Sequence, residues 1–110
     1  MTTPADIDLN SSLKPSGQGR LSADLASADE GTLSAIALRA MKQFAAESAG
    51  DKTASTVSVS LDFTGEAFTG GAVDIDCDID RQTRTLIFLH AYLRSGDRTL
   101  IKATSIFRLS

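Results

Sequence analysis

Residues 31–63 read GTLSAIALRAMKQFAAESAGDKTASTVSVSLDF, and the spacing of their apolar side chains changes period once. Leu33, Ile36, Ala37, Ala40, Met41, Phe44 and Ala45 recur at three- and four-residue steps. That is one stripe along an α-helix. Gly50 supplies the stop, and Ser27 with Glu30 three residues later matches a capping box at the start. The opposite side still carries Ala35, Leu38 and Ala46, which predicts a helix covered on more than one side. Past Ala54 the period drops to two. Val57, Val59, Leu61 and Phe63 alternate with Thr56, Ser58, Ser60 and Asp62, the mark of a strand with one buried face.

The same alternation continues to the end of the chain. Val73, Ile75, Cys77 and Ile79 alternate with Asp74, Asp76, Asp78 and Asp80. The turn Arg81 to Arg84 leads into Leu86 to Arg94, and Ser95 to Arg98 leads into Thr99 to Leu109. Four consecutive strands with short connections predict a meander. With three-residue hairpin loops, Ile79 faces Ile87, Cys77 faces Leu89 and Ile75 faces Ala91. In the second hairpin Leu93 meets Ile101, Ala91 meets Ala103 and Ile87 meets Phe107. The outer face then sets Asp76 beside His90, His90 beside Thr104, and Tyr92 between Asp74 and Lys102. Upstream of the helix, Gly19 to Ala26 alternates weakly and predicts a short strand. Pro4 and Pro15 make residues 1–16 a loosely held arm. The fold class is therefore α+β: a sheet of about five antiparallel strands with one long helix on its face.

The 110 residues suit one domain, 1–110. Apolar residues at 42% and charged residues at 23% are those of an ordinary soluble chain. A formal charge of −3, five Phe, one Tyr and no Trp argue against nucleic acid, which asks for cations and stacking platforms. No apolar run reaches the ~20 residues of a membrane span. Met1 to Asp8 has neither the basic start nor the apolar stretch of a signal peptide. One Cys forms no internal disulfide, and one Cys with one His builds no metal cage. The expectation is a cytoplasmic protein without membrane, metal or cofactor.

The order of elements, together with Thr56 to Phe63, Gly70-Gly71, Arg84-Thr85-Leu86 and Asp97 to Ala103, resembles the hotdog-fold acyl-CoA thioesterases of the PaaI-like group. The resemblance spans Gly19 to Leu109. It implies a sheet wrapped around the central helix and two protomers joined edge to edge. The acyl-CoA, as substrate or ligand, would lie at their interface with its thioester near the helix start. Amides at a helix start are suited to stabilise the oxyanion formed when water attacks a thioester.

Site residues follow from that comparison one by one. The family's His-Gly-Gly before the helix is best matched by Glu30-Gly31-Thr32. Gly31 and Thr32 become oxyanion donors, and Glu30 a displaced base or simply a capping residue. Eight residues past that glycine, where the family carries its catalytic acid, stands Arg39, a candidate for binding a phosphate or carboxylate of the substrate. Shifting the match to Ser34-Ala35-Ile36 puts Gln43 there instead, again no acid. Thr56 keeps the hydroxyl found at the start of the following strand, where it would hold a water. The Asp74–Asp80 row, with about 7 Å between successive members, reads as a solvated face rather than a calcium site. Cys77 reads as a buried thiol, and His90 has no nucleophile for a triad. The strand Ala54 to Phe63 carries a single charge, Asp62, and such an edge needs covering. A homodimer, alone or doubled into a tetramer, is the expected assembly. Loss of the acid leaves a second possibility, a non-catalytic module that binds an acyl thioester or only assembles.

Overall fold

The computed structural model describes residues 14–17, 19–25, 29–50 and 52–110. In chain order they form β1 (Lys14–Gly17), β2 (Arg20–Leu25), α1 (Glu30–Ser48), β3 (Ala54–Phe63), β4 (Gly71–Gln82), β5 (Leu86–Ser95) and β6 (Arg98–Leu109). The strands make one sheet in the order β1-β2-β4-β5-β6-β3, and every neighbouring pair is antiparallel. Five long strands and one helix match the expectation, and β1 adds a short sixth strand at the margin. Of the residues expected in a loosely held arm, 14–16 belong to the strand Lys14–Gly17, which pairs with β2. Residues 1–13 lie outside the described residues, as do Ala26 and Ser27.

The sheet curves around α1. Leu33, Ile36, Ala37, Ala40, Met41 and Ala45 are buried, as their spacing demands, while Phe44 is half-buried. Ala37 and Ala40 are small enough to let the helix lie close on the strands. Facing them are Val73, Ile75, Ile87, Leu89, Leu93, Ile101 and Phe107, all buried. One hydroxyl sits in this core: Ser105 donates to the Met41 sulfur at 3.2 Å. Among the described residues no helix is long and apolar enough to cross a membrane.

Two expectations about strand pairing need correction. β3 does not neighbour β4; it pairs with β6, from Ala54 opposite Leu109 to Phe63 opposite Ile101. The connector, residues 64–70, is too long for a tight hairpin and crosses to the far side of the sheet, so the meander has three strands, β4 to β6. The β4–β5 register also differs by two residues. Ile75 faces Leu93, Cys77 faces Ala91 and Ile79 faces Leu89, followed by a bulge before Arg81 faces Phe88. The Thr83 hydroxyl explains the difference: it accepts the Leu86 amide at 3.0 Å, while the Thr83 amide donates to the Leu86 carbonyl at 2.8 Å. That holds a four-residue loop rather than three. Asp76 therefore faces Tyr92, and His90 faces Asp78 with its Nδ1 2.6 Å from Asp80. The β5–β6 register is as expected, with His90 beside Thr104. A two-residue turn at Gly96-Asp97 and a bulge after Leu93 produce the same offset as a three-residue loop.

Candidate active site

The helix opens beside the crossover connector. Asp29, not Ser27, is the N-cap: its carboxylate accepts the Thr32 amide at 2.8 Å and its carbonyl accepts the Leu33 amide at 3.0 Å. Glu30 thereby becomes the first helical residue instead of the second member of a capping box. Thr32 holds the Asp29 carboxyl below the ordinary aspartate value of 3.8, first through its amide and then through its hydroxyl. A depressed folded value adds stability above the unfolded one, and the gain is lost as pH falls through the folded value. Asp29→Ala is expected to lower the melting temperature at pH 7, with the gap to wild type narrowing as pH falls through the depressed value of the folded carboxyl. Asp29→Asn, which caps without titrating, should stay close to wild type at pH 7; a melting series in pH reads both.

A cavity of about 400 Å³ lies between this helix start, the connector and the beginning of β6. Its wall is Leu33, Phe63, Phe68 and Leu100, and three acidic residues, Asp29, Glu30 and Glu66, line it as well. The connector is tied down rather than draped. The Thr64 amide donates to the Leu100 carbonyl at 3.2 Å, and the Thr64 hydroxyl donates to the Thr99 carbonyl at 2.5 Å. The Glu66 amide in turn donates to the Thr64 hydroxyl at 3.4 Å, which sets the backbone from which the Glu66 side chain projects. Glu66 was not visible as a site residue in sequence, because only the crossover brings residues 64–70 beneath the helix.

The remaining candidates do not gather here within one chain. Gly31 is exposed on the first helical turn. Thr32 lies beside it with its amide engaged by Asp29. Arg39 is half-buried and about 12 Å along the helix from Gly31, at ~1.5 Å per residue. Gln43 is a turn further on and donates to Glu47 at 3.1 Å. Thr56, exposed opposite Phe107, is about 23 Å of strand away from Phe63.

The outer face of the sheet is chemically different. A second cavity, about 510 Å³, is lined by Arg20, Asp76, Asp78, Tyr92 and Arg94 among others. Its charges answer one another: Arg20 Nε lies 2.5 Å from Asp76 and Arg94 Nη1 3.5 Å from the same carboxylate. The aspartate row is thus an ion-paired ladder, and among the described residues no group of His, Cys, Asp or Glu converges as a metal site. Cys77 points inward from the same strand. Burial pushes its thiol up to about 12, with Asp76 and Asp78 adding to the effect, so it holds no nucleophilic thiolate near neutral pH.

A long helix packed on an antiparallel sheet is an arrangement this chain shares with known proteins. A family profile, the acyl-CoA thioesterase N-terminal domain, matches residues 31–108. The chain belongs to the acyl-CoA thioesterase N-terminal domain family. The hotdog architecture is shared with solved structures of low sequence identity. Conserved protein PA5202 from Pseudomonas aeruginosa superposes with a TM-score of 0.82 at 17% identity, covering 100% of this chain and 96% of that one. The BH2602 protein from Bacillus halodurans, solved with CoA, gives 0.77 at 13%, covering 100% and 93%. A phenylacetic acid degradation-related protein from Ralstonia eutropha gives 0.77 at 17%, covering 98% and 92%. No curated protein matches the chain. Within the thioesterase family match, the profile begins at Gly31 and so takes in α1 and the four strands that follow it.

Proposed function

We propose that this thioesterase-family chain takes an acyl-CoA at the interface of a homodimer, binding it and hydrolysing its thioester, and that it stands in the PaaI-like group. The observation that carries the reading is the cavity at the helix start: apolar enough for an acyl chain, and of a size that suits small ligands. Likeness to a CoA-bound structure and to a phenylacetic acid degradation-related one supports it. Hydrolysis asks only for water and a base, so no cofactor enters. The Gly31 amide would meet the oxyanion, and Thr56 of one protomer would serve the other's site. A cytoplasmic setting agrees with a lone cysteine kept as a buried thiol.

The dimer reading rests on β3. This strand has β6 on one side, is the last strand of the sheet order on the other, and exposes Val57 at 53%. Pairing with its symmetry mate would cover that edge. Light scattering should give twice the 11.6 kDa chain mass at micromolar concentration. Val57→Lys, which puts a charge on the free edge, should shift the chain toward monomer; a wild-type monomer would refute the edge-to-edge assembly.

A binding module without turnover is the second reading, and Arg39 favours it. Where the family's acid is expected, a cation stands. An acyl-CoA hydrolysis panel run beside calorimetric binding on the same preparation separates the two readings.

A further inference from the structure

Resting on the acyl-CoA reading, we propose that the cavity at the helix start accepts only uncharged acyl groups, and that Glu30 and Glu66 reject acyl chains ending in a carboxylate. A helix start is ordinarily an anion site, since its free amides and its dipole favour negative charge. Here the protein's own Asp29 carboxylate occupies that position on the Thr32 amide. An acyl carboxylate entering the cavity therefore finds the anion position filled. It meets instead an apolar wall of Leu33, Phe63, Phe68 and Leu100. Desolvating a carboxylate against that wall is unfavourable, and no cation lines the cavity among the described residues to offset it. Glu30 and Glu66 add like-charge repulsion. A hydrocarbon acyl chain meets neither obstacle. Tethering by Thr64 keeps the Glu66 backbone against β6, so the residue does not leave with a swinging loop.

Butyryl-CoA and succinyl-CoA make the controlled comparison: both acyl groups have four carbons and they differ by one carboxylate. Titration calorimetry on the full chain, with free CoA as reference, should show butyryl-CoA and phenylacetyl-CoA binding at least tenfold tighter than succinyl-CoA. The double variant Glu30→Gln/Glu66→Gln should cut that ratio severalfold, and Glu66→Lys should reverse the preference. Equal binding of butyryl- and succinyl-CoA by wild type would overturn this inference and leave the acyl-CoA reading standing. An undiminished ratio in the double variant would also overturn it, by assigning selection to other residues. Failure of every acyl-CoA to bind better than free CoA would overturn the acyl-CoA reading itself.

Discussion

Replacing Arg39 by aspartate is expected to raise acyl-CoA hydrolysis by about 10²–10⁴-fold, the usual contribution of a positioned general base. On the proposed match to the family, which sets a guanidinium at the position of the base, the wild-type chain should bind acyl-CoA and turn it over slowly. The aspartate would take a proton from water as the water oxygen attacks the thioester carbon. The carbonyl oxygen gains the charge, and the CoA thiolate departs when the tetrahedral intermediate collapses. Residue 39 lies about 12 Å along α1 from Gly31, too far for both to serve one thioester from the same chain. If the proposed homodimer sets the acid of one protomer against the helix start of the other, the gain should appear only in the dimer. Arg39→Asn controls for loss of the arginine: it removes the charge and supplies no base, so its rate should stay near wild type. A thiol-release assay reads all three proteins. Rapid hydrolysis by wild type, abolished by Glu30→Gln or Glu66→Gln, would move the base to the cavity and refute the role given to position 39.

Phe107→Ala is expected to cost about 3–5 kcal/mol of folding stability. Among the described residues Phe107 is the largest of the fully buried side chains, and it lies on β6, opposite Ile87 on one side and Thr56 on the other. Truncation removes contact with the helix and with both neighbouring strands. The loss approaches the total stability of many domains, typically ~5–15 kcal/mol. Urea unfolding at one fixed protein concentration measures it, since dimerisation would otherwise enter the apparent value. Phe107→Leu should cost much less. A loss under about 1 kcal/mol for the alanine variant would show that the sheet closes over the gap.

The parity of β4, β5 and β6 was legible, whereas the β4–β5 offset was not, and in β3 a bulge at Val57 breaks the expected alternation and leaves Val57 and Phe63 exposed. Ile75 and Cys77 had to face inward, because a one-residue slip would turn them to solvent, whereas Ile79, expected with them, is exposed. A two-residue slip preserves which side chains share a face, and hydrophobic pattern is blind to it. The Thr83 hydroxyl, closing its loop on Leu86, chose the offset. The second hairpin came out as expected because a bulge replaced the missing loop residue. The helix was readable from its stripe, whereas its cap was misassigned: Ser27 and Asp29 are both good capping residues, and Asp29 is the one that reaches the Thr32 amide. The candidate site divides the same way. Glu30 and Gly31 follow from where the helix begins, a local fact. Glu66 joins them only because β3 lies beyond β6, which no local pattern encodes.

That crossover also orders the assembly of the molecule. Strands β4, β5 and β6 join through short loops and can zip together early. β3 precedes them in the chain yet must wait for β6, since Phe63 pairs with Ile101 and Ala54 with Leu109. Contacts so distant in sequence close late and slow the folding of β-rich domains. Until then β3 has two bare edges and a single charged side chain, Asp62. A chain halted at the Gly96 turn would keep β3 in that state indefinitely, a sticky ribbon seeking any other strand. The residues after Gly96 are thus what gives β3 a partner within its own chain.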